Sequence, residues 1–122
     1  MIKMTHVTFY KSSDVFYGFK EEGHAGFAEE GSDIVCSALS AMTMLVINAI
    51  EVGYSSSVDY KIGDTDASVE LIAKGALMAY EKDDKKRYAV SGLILAYYNQ
   101  LKELVEEYYD YLSVDVIERK PE

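Results

Sequence analysis

One cysteine and a nearby histidine are the residues of this chain whose types could do covalent chemistry. His24 precedes Cys36 by twelve residues, and Cys36 is the one cysteine among 122 residues. A thiolate attacks carbonyl carbons, and an imidazole can take the thiol proton and later protonate a leaving amine. The pair could therefore hydrolyse a peptide bond. The alternative is a structural thiol, because free cysteines are among the most buried residues in proteins.

The residues before Cys36 predict that it lies in the first turn of a helix. Ser32 or Asp33 can cap this helix, which the apolar spacing predicts from Asp33 to about Val52. Unpaired N–H groups and the positive end of the helix dipole stabilise an anion at such a position. We therefore expect a reactive Cys36, with backbone N–H groups of the helix start as oxyanion donors.

Two further residues could assist this pair. Ser40 lies one turn after Cys36, so both side chains share a helix face, where Ser40 could bond to the sulfur or a bound peptide. A back-bond to its own helix is the alternative for Ser40. Asp33 could orient His24, although a role as the helix N-cap is favoured. His6, in the first strand, is interpreted as a residue of the strand face.

Other kinds of site are not expected. Zinc takes three or four protein ligands, and no spacing of two histidines, one cysteine and carboxylates predicts such a set. The glycines around His24 do not form a phosphate loop, because the required Lys and Ser/Thr are missing and Glu29 and Glu30 would repel phosphate. We expect no metal and no cofactor.

Length and charge restrict the class of protein. A chain of 122 residues predicts a single domain over residues 1–122. A net charge of −9 repels nucleic-acid backbones, and a lone thiol is typical of the reducing cytoplasm. The start of the chain lacks the apolar core of a signal peptide. The most apolar stretch, Ala38 to Ile50, is shorter than the roughly 20 residues of a membrane span and predicts a buried helix.

The hydrophobic pattern predicts the elements that position His24 and Cys36. We expect a hairpin, the glycine-rich loop 22–32, the first helix, a second hairpin, a second helix and a last strand. Asp83 or Asp84 should cap the second helix, whose apolar stripe runs as far as Leu112. The segment from Gly75 to Lys82 fits a strand extension or a loop. The predicted class is α+β, a mixed or antiparallel sheet of about five strands packed with two helices, in the order β-β-α-β-β-α-β.

The residues around the candidate nucleophile resemble a known family. Gly23-His24-Ala25, the loop to Ser32, and then Asp33-Ile34-Val35-Cys36 followed by Ser40 are similar to the motif of the ribosomal-processing cysteine proteases, the Prp family. The spacing of His24 and Cys36 and the Asp-Ile-Val-Cys tetrapeptide make this resemblance specific.

The resemblance implies a function as well as a fold. Family members are cytoplasmic bacterial homodimers that remove a short N-terminal extension from a large-subunit ribosomal protein. It implies Cys36 as the nucleophile, His24 as the general acid and base, and the N-terminal tail of a ribosomal protein as the substrate. The net charge of −9 would attract such a tail, because ribosomal proteins are basic. The alternative is a non-enzymatic, ribosome-associated interaction module with a structural cysteine. Neither reading requires a membrane or direct contact with nucleic acid.

Overall fold

The fold was analysed in a computed structural model that describes residues 4–23, 30–63 and 68–121. Within them the chain forms β1 (Thr5–Ser12), β2 (Val15–Glu22), α1 (Glu30–Asn48), β3 (Asp59–Ile62), β4 (Val69–Ile72), α2 (Asp84–Tyr108) and β5 (Leu112–Glu118). A π-helical turn, Ala49–Gly53, continues α1, and a 3-10 turn, Lys74–Ala76, follows β4. The predicted α+β class and the order β-β-α-β-β-α-β are confirmed.

The strands of the described residues form one mixed sheet in the order β3-β4-β2-β1-β5. β1 pairs with β2, β2 with β4, and β3 with β4, all antiparallel, whereas β5 runs parallel to β1. A parallel pair needs a long crossover connection, and α2 supplies it by carrying the chain to the far edge of the sheet. The end of β2 and the starts of β1 and β4 therefore meet at one end of the sheet.

Both predicted hairpins are present. The turn of the first hairpin and the strands of the second are shorter than the pattern indicated. The first turn is confined to Ser13 and Asp14, which have φ angles of 48° and 65°. Positive φ at both central residues matches the right-handed twist of the flanking strands. In the second hairpin, the N–H of Gly63 donates to the carbonyl of Ser68 at 2.7 Å. The predicted turn runs from Gly63 to Asp66, and the part of it after Gly63, together with the predicted start of the next strand at Ala67, lies outside the described residues.

The second helix follows the prediction except at its C-terminal end. Asp83 is the N-cap, and its side chain accepts from the N–H groups of Lys85 and Lys86 at 3.0 and 3.4 Å. The buried stripe of α2 consists of Val90, Ile94, Tyr97 and Leu101. The assignment of Leu112 to this stripe is wrong, because the helix ends at Tyr108 and Leu112 begins β5. The segment after β4 is a 3-10 turn rather than a strand extension.

The first helix starts earlier than the sequence indicated. α1 begins at Glu30, so Ser32 and Asp33 lie inside its first turn and do not cap it. One side of the helix is buried in the core through Val35, Leu39 and Val46. The apolar segment Ile34–Gly53 is 20 residues long, which is enough to cross a membrane by length and composition. That observation is weak support for a span, because core helices of soluble proteins meet the same criteria.

Candidate active site

Cys36 is half-buried on α1 and faces a cavity rather than the centre of the core. It is the seventh residue of the helix, since α1 begins at Glu30. The prediction of a first-turn position is therefore wrong. A helix leaves its first four N–H groups without helical partners, and Cys36 lies beyond them, so its own N–H belongs to the helical ladder. Cys36 thus lies about one turn beyond the unpaired N–H groups that we expected as oxyanion donors.

A cavity of about 210 Å³ adjoins Cys36 at the end of the sheet where β1 starts and β2 ends. Its described lining residues are Thr5, Glu21, Glu22, Cys36, Leu39, Ser40 and Val69. The lining comes from α1, β1, β2 and β4, so the sheet order determines which residues the thiol meets. Two carboxylates and no cation lie among these described lining residues. The cavity is therefore acidic, which favours a basic group as its occupant.

Ser40 lies beside Cys36 as the helical spacing predicts. Both residues line the same cavity, and the side chain of Ser40 is exposed. Its hydroxyl is therefore accessible to a ligand in that cavity. The backbone of Asp33 lies in the first turn of α1, where a carboxylate is favoured by the helix dipole, and its side chain is not described.

His24 itself lies outside the described residues, but the glycine before it has a defined and restricted conformation. Gly23 has a φ of +78°, a region that side chains other than glycine rarely adopt. A Cβ atom built on Gly23 would lie 2.4 Å from the carbonyl oxygen of Met4. Two independent constraints thus require glycine at the point where the chain leaves β2 towards His24.

Glu21 is a residue of the site that sequence reasoning missed. Its Oε1 atom accepts hydrogen bonds from the hydroxyls of Thr43 on α1 at 2.7 Å and Tyr97 on α2 at 2.6 Å. Burial raises the pKa of the Glu21 carboxyl above its ordinary value, and the two hydrogen bonds oppose that shift. The strand alternation carried a signal, because Glu21 falls on the same face of β2 as the buried Phe19.

His6 lies on a strand face away from the cavity at Cys36, as the sequence indicated. The Nδ1 atom of His6 bonds to the hydroxyl of Ser113, and its Nε2 atom lies 3.3 Å from Asp115 Oδ2. These residues resemble a triad in type, but they lie on adjacent strands β1 and β5, on the face opposite Val7 and the core. They do not line the cavity at Cys36.

A larger cavity of about 630 Å³ lies elsewhere and does not include Cys36. Tyr17, Glu70 and Arg119 are among its lining residues. The hydroxyl of Tyr10 donates to Glu70 Oε2 at 2.6 Å, and the guanidinium of Arg119 lies 4.2 Å from the centre of the Tyr10 ring. Arg119 Nη1 also lies 3.6 Å from Glu70 Oε2, so these two charged groups are paired. Cavity size alone does not identify the site, and the smaller cavity is the one that contains a nucleophile.

Several proteins of known structure share this fold. The chain is similar to SMU.848 from Streptococcus mutans, with 26% identity, a TM-score of 0.78, and coverage of 96% of this chain and 97% of that one. It is also similar in fold to an essential ribosomal processing protease Prp from S. aureus in complex with a substrate peptide, at 20% identity. That match has a TM-score of 0.75 and covers 93% of this chain and 100% of the other. A complex of the same S. aureus protease with a covalently linked product peptide matches at 21% identity, with a TM-score of 0.70 and the same coverage.

Family membership rests on a separate comparison. No curated protein matches the chain. The family model of cysteine protease Prp matches residues 4–113 of this chain, which is most of the 122 residues. This range includes the described lining of the cavity, Cys36, and the segment from Gly23 to Gly26 that contains His24. The chain therefore belongs to the Prp family of cysteine proteases.

Proposed function

We propose that this cysteine protease removes a short N-terminal extension from a large-subunit ribosomal protein, with Cys36 as the nucleophile and His24 as the general acid and base. The observation that carries the proposal is the position of Cys36, half-buried in a cavity that is also lined by Glu22. His24 follows Glu22 by two residues in the chain. The S. aureus protein of similar fold is named a ribosomal processing protease, which supports the choice of substrate.

The proposed reaction has two steps. The Cys36 thiolate attacks the carbonyl carbon of the scissile peptide bond, and the His24 imidazolium gives its proton to the leaving amine as the C–N bond breaks. The product of this step is a thioester between Cys36 and the extension. His24 then takes a proton from water, and the resulting hydroxide attacks the thioester and releases Cys36. Asp33 and Ser40 are proposed as auxiliary residues, Asp33 by orienting His24 and Ser40 by bonding to the sulfur or the peptide.

The charge of the protein supports a basic substrate. The chain has a net charge of −9, and two of its carboxylates, Glu21 and Glu22, line the cavity at Cys36. Ribosomal proteins carry basic segments, so electrostatic attraction should speed encounter with a basic tail. We expect kcat/KM to fall as the salt concentration rises, because salt screens that attraction. A rate that does not depend on ionic strength would contradict this steering.

The protein is further proposed to act as a cytoplasmic homodimer. The side of α1 that faces away from the core exposes large apolar side chains, with Met44 at 70% and Leu45 at 67% exposure. An exposed apolar surface of this kind is typical of association between proteins. Light scattering should give the mass of a dimer, and a Met44→Lys, Leu45→Lys double variant should shift it towards the monomer. A wild-type monomer at micromolar concentration would exclude the dimer.

Cleavage of an extended ribosomal peptide tests the proposed function directly. The substrate is a synthetic peptide with the N-terminal extension of the large-subunit protein, and mass spectrometry identifies the cut. Cys36→Ala and His24→Ala should each lower kcat/KM on the order of 1,000-fold or more. Ser37→Ala, a change at the exposed neighbour of the nucleophile, is the matched control and should leave it unchanged. Full activity of Cys36→Ala would reject the assignment.

A further inference from the structure

The acidic wall of the Cys36 cavity contains one carboxylate that no cation balances. Glu21 and Glu22 both line the cavity, and the remaining described lining residues are uncharged or, for Cys36, the candidate nucleophile. Glu22 is exposed, and its Oε2 atom lies 3.9 Å from Lys20 Nζ. Among the described residues, no ion pair involves Glu21. The charge of Glu21 is therefore available to a ligand in the cavity.

The carboxylate of Glu21 is held in a fixed position by two helices. Thr43 and Tyr97 both donate to Oε1, at 2.7 and 2.6 Å. Thr43 and Tyr97 are themselves buried, and their hydroxyl oxygens lie 3.1 Å apart. Within the described part of the chain, no group donates to Oε2. An ionised carboxylate can accept about four hydrogen bonds, so this arrangement leaves acceptor capacity on the second oxygen.

We propose that Glu21 is a specificity-determining residue that binds a lysine or arginine side chain of the peptide substrate beside the scissile bond. The inference rests on the proposed function, because it takes Cys36 as the nucleophile of a peptidase. Lysine and arginine supply both the positive charge and the N–H donors that Oε2 lacks. A half-buried carboxylate without a cation is unfavourable, and a cation in the cavity removes that penalty.

The same arrangement disfavours other side chains. A neutral residue in the cavity would displace water from Glu21 without supplying a charge, and an acidic residue would add repulsion. Sites with buried polar groups discriminate strongly against ligands that leave those groups unpaired. We expect kcat/KM to favour lysine over glutamine at this position on the order of 30-fold.

A set of quenched fluorescent peptides on one scaffold tests this specificity. Lysine, glutamine or glutamate occupies each of the three positions on either side of the scissile bond. Wild-type protein is compared with Glu21→Gln, whose amide oxygen still accepts from Thr43 and Tyr97. Glu22→Gln is the matched control, because it removes the adjacent exposed carboxylate. We expect Glu21→Gln to lose the lysine preference, so that its kcat/KM becomes equal on the lysine and glutamine peptides, and Glu22→Gln to retain the preference.

The outcomes separate this inference from the proposed function. Cys36-dependent cleavage with equal kcat/KM for lysine and glutamine peptides at every position would overturn the role of Glu21 and leave the protease assignment intact. A lysine preference that survives in Glu21→Gln would overturn it as well. No Cys36-dependent cleavage of any peptide would reject the proposed function and this inference with it. Where Glu21→Gln fails to fold, Glu22→Gln still tests the inference: a lysine preference that is retained in Glu22→Gln supports Glu21, and one that is lost there would overturn its role.

Discussion

The hydroxyl of Tyr97 lies 2.6 Å from Glu21 Oε1, so a buried residue of α2 fixes the carboxylate that borders the candidate active site. The ring of Tyr97 also packs on Phe9 and Phe19, with ring centres 5.7 and 5.1 Å away. One side chain thus joins the aromatic core to the acidic end of the cavity. A substitution that removes only the hydroxyl separates the hydrogen bond to Glu21 from the packing of the ring.

Tyr97→Phe keeps the aromatic packing and removes the donor to Glu21. Hydrogen bonds to charged groups contribute about 1.5–3 kcal/mol, so the free energy of unfolding at pH 7 should fall by roughly that amount. Urea denaturation followed by circular dichroism measures it. Tyr98→Phe is the control, because Tyr98 packs on Phe16 through its ring, and the change should cost less than about 0.5 kcal/mol. Equal losses in the two variants would contradict the role of the Tyr97 hydroxyl.

Glu21→Gln should stabilise the protein increasingly as the pH rises. Burial raises the pKa of Glu21 in the folded state, so folding binds a proton between the unfolded pKa of about 4.3 and the higher folded value. In that window the wild type loses stability with rising pH, whereas glutamine does not titrate. The difference in unfolding free energy between variant and wild type, measured from pH 4 to pH 8, should grow with pH. A constant difference would show that Glu21 titrates normally.

Tyr10→Phe should show the opposite dependence on pH. The hydrogen bond from Tyr10, together with nearby Arg119, lowers the pKa of Glu70, so this contribution to stability is present above the unfolded pKa and is lost on acidification. Burial raises the pKa of Tyr10 to about 12, which keeps the hydroxyl a donor at neutral pH. The variant should lose about 1–2 kcal/mol at pH 7 and less near pH 3. Tyr60→Phe, at an exposed tyrosine, should have little effect at either pH.

Gly23→Ala should impair both stability and cleavage. The positive φ and the contact with Met4 would cost on the order of 1–3 kcal/mol, and the chain would leave β2 in a different direction just before His24. Thermal unfolding and kcat/KM on the extended peptide measure the two effects. Gly53→Ala is the control, since a Cβ there meets nothing within 4 Å. An active, stable Gly23→Ala protein would show that the conformation at Gly23 is not needed.

Cys36 should react with iodoacetamide in the folded protein. The side chain is half-buried and lines a cavity, whereas a structural core thiol reacts only after unfolding. Mass spectrometry of the intact protein should show one adduct, because the chain has one cysteine. The same reaction in urea gives the rate for a fully accessible thiol. Labelling that occurs only in urea would support a structural role for Cys36.

The sequence predicted elements whose signals are local. Asp83 was identified as a cap because its carboxylate reaches N–H groups two and three residues ahead. Leu112 was misassigned because its spacing from Tyr108 is also helical, and the turn between them leaves no pattern in the apolar residues. The start of α1 was misplaced because Ser32 and Asp33 are good caps that the folded chain uses as helix residues.

The site was predicted only in part, because its remaining members come from distant segments. Cys36 and Ser40 were paired by helix spacing, and both line the cavity. Glu21 gave no comparable signal, since its partners Thr43 and Tyr97 lie 22 and 76 positions further along the chain. Only the packing of both helices on the sheet brings them to one oxygen. Strand alternation alone could have indicated that the side chain of Glu21 points inward.

The parallel pairing of β1 with β5 has a consequence for the order in which the molecule can fold. His6 is paired with Ser113, 107 positions later, so the sheet is not complete until the chain has been synthesised as far as β5. Until then one edge of β1, the strand that contains the apolar Val7 and Phe9, is unpaired and can form hydrogen bonds with other chains. A ribosome-bound precursor that lacks β5 should therefore depend on chaperones, and folding should be slow for a domain of this size because the closing contacts are so distant in sequence.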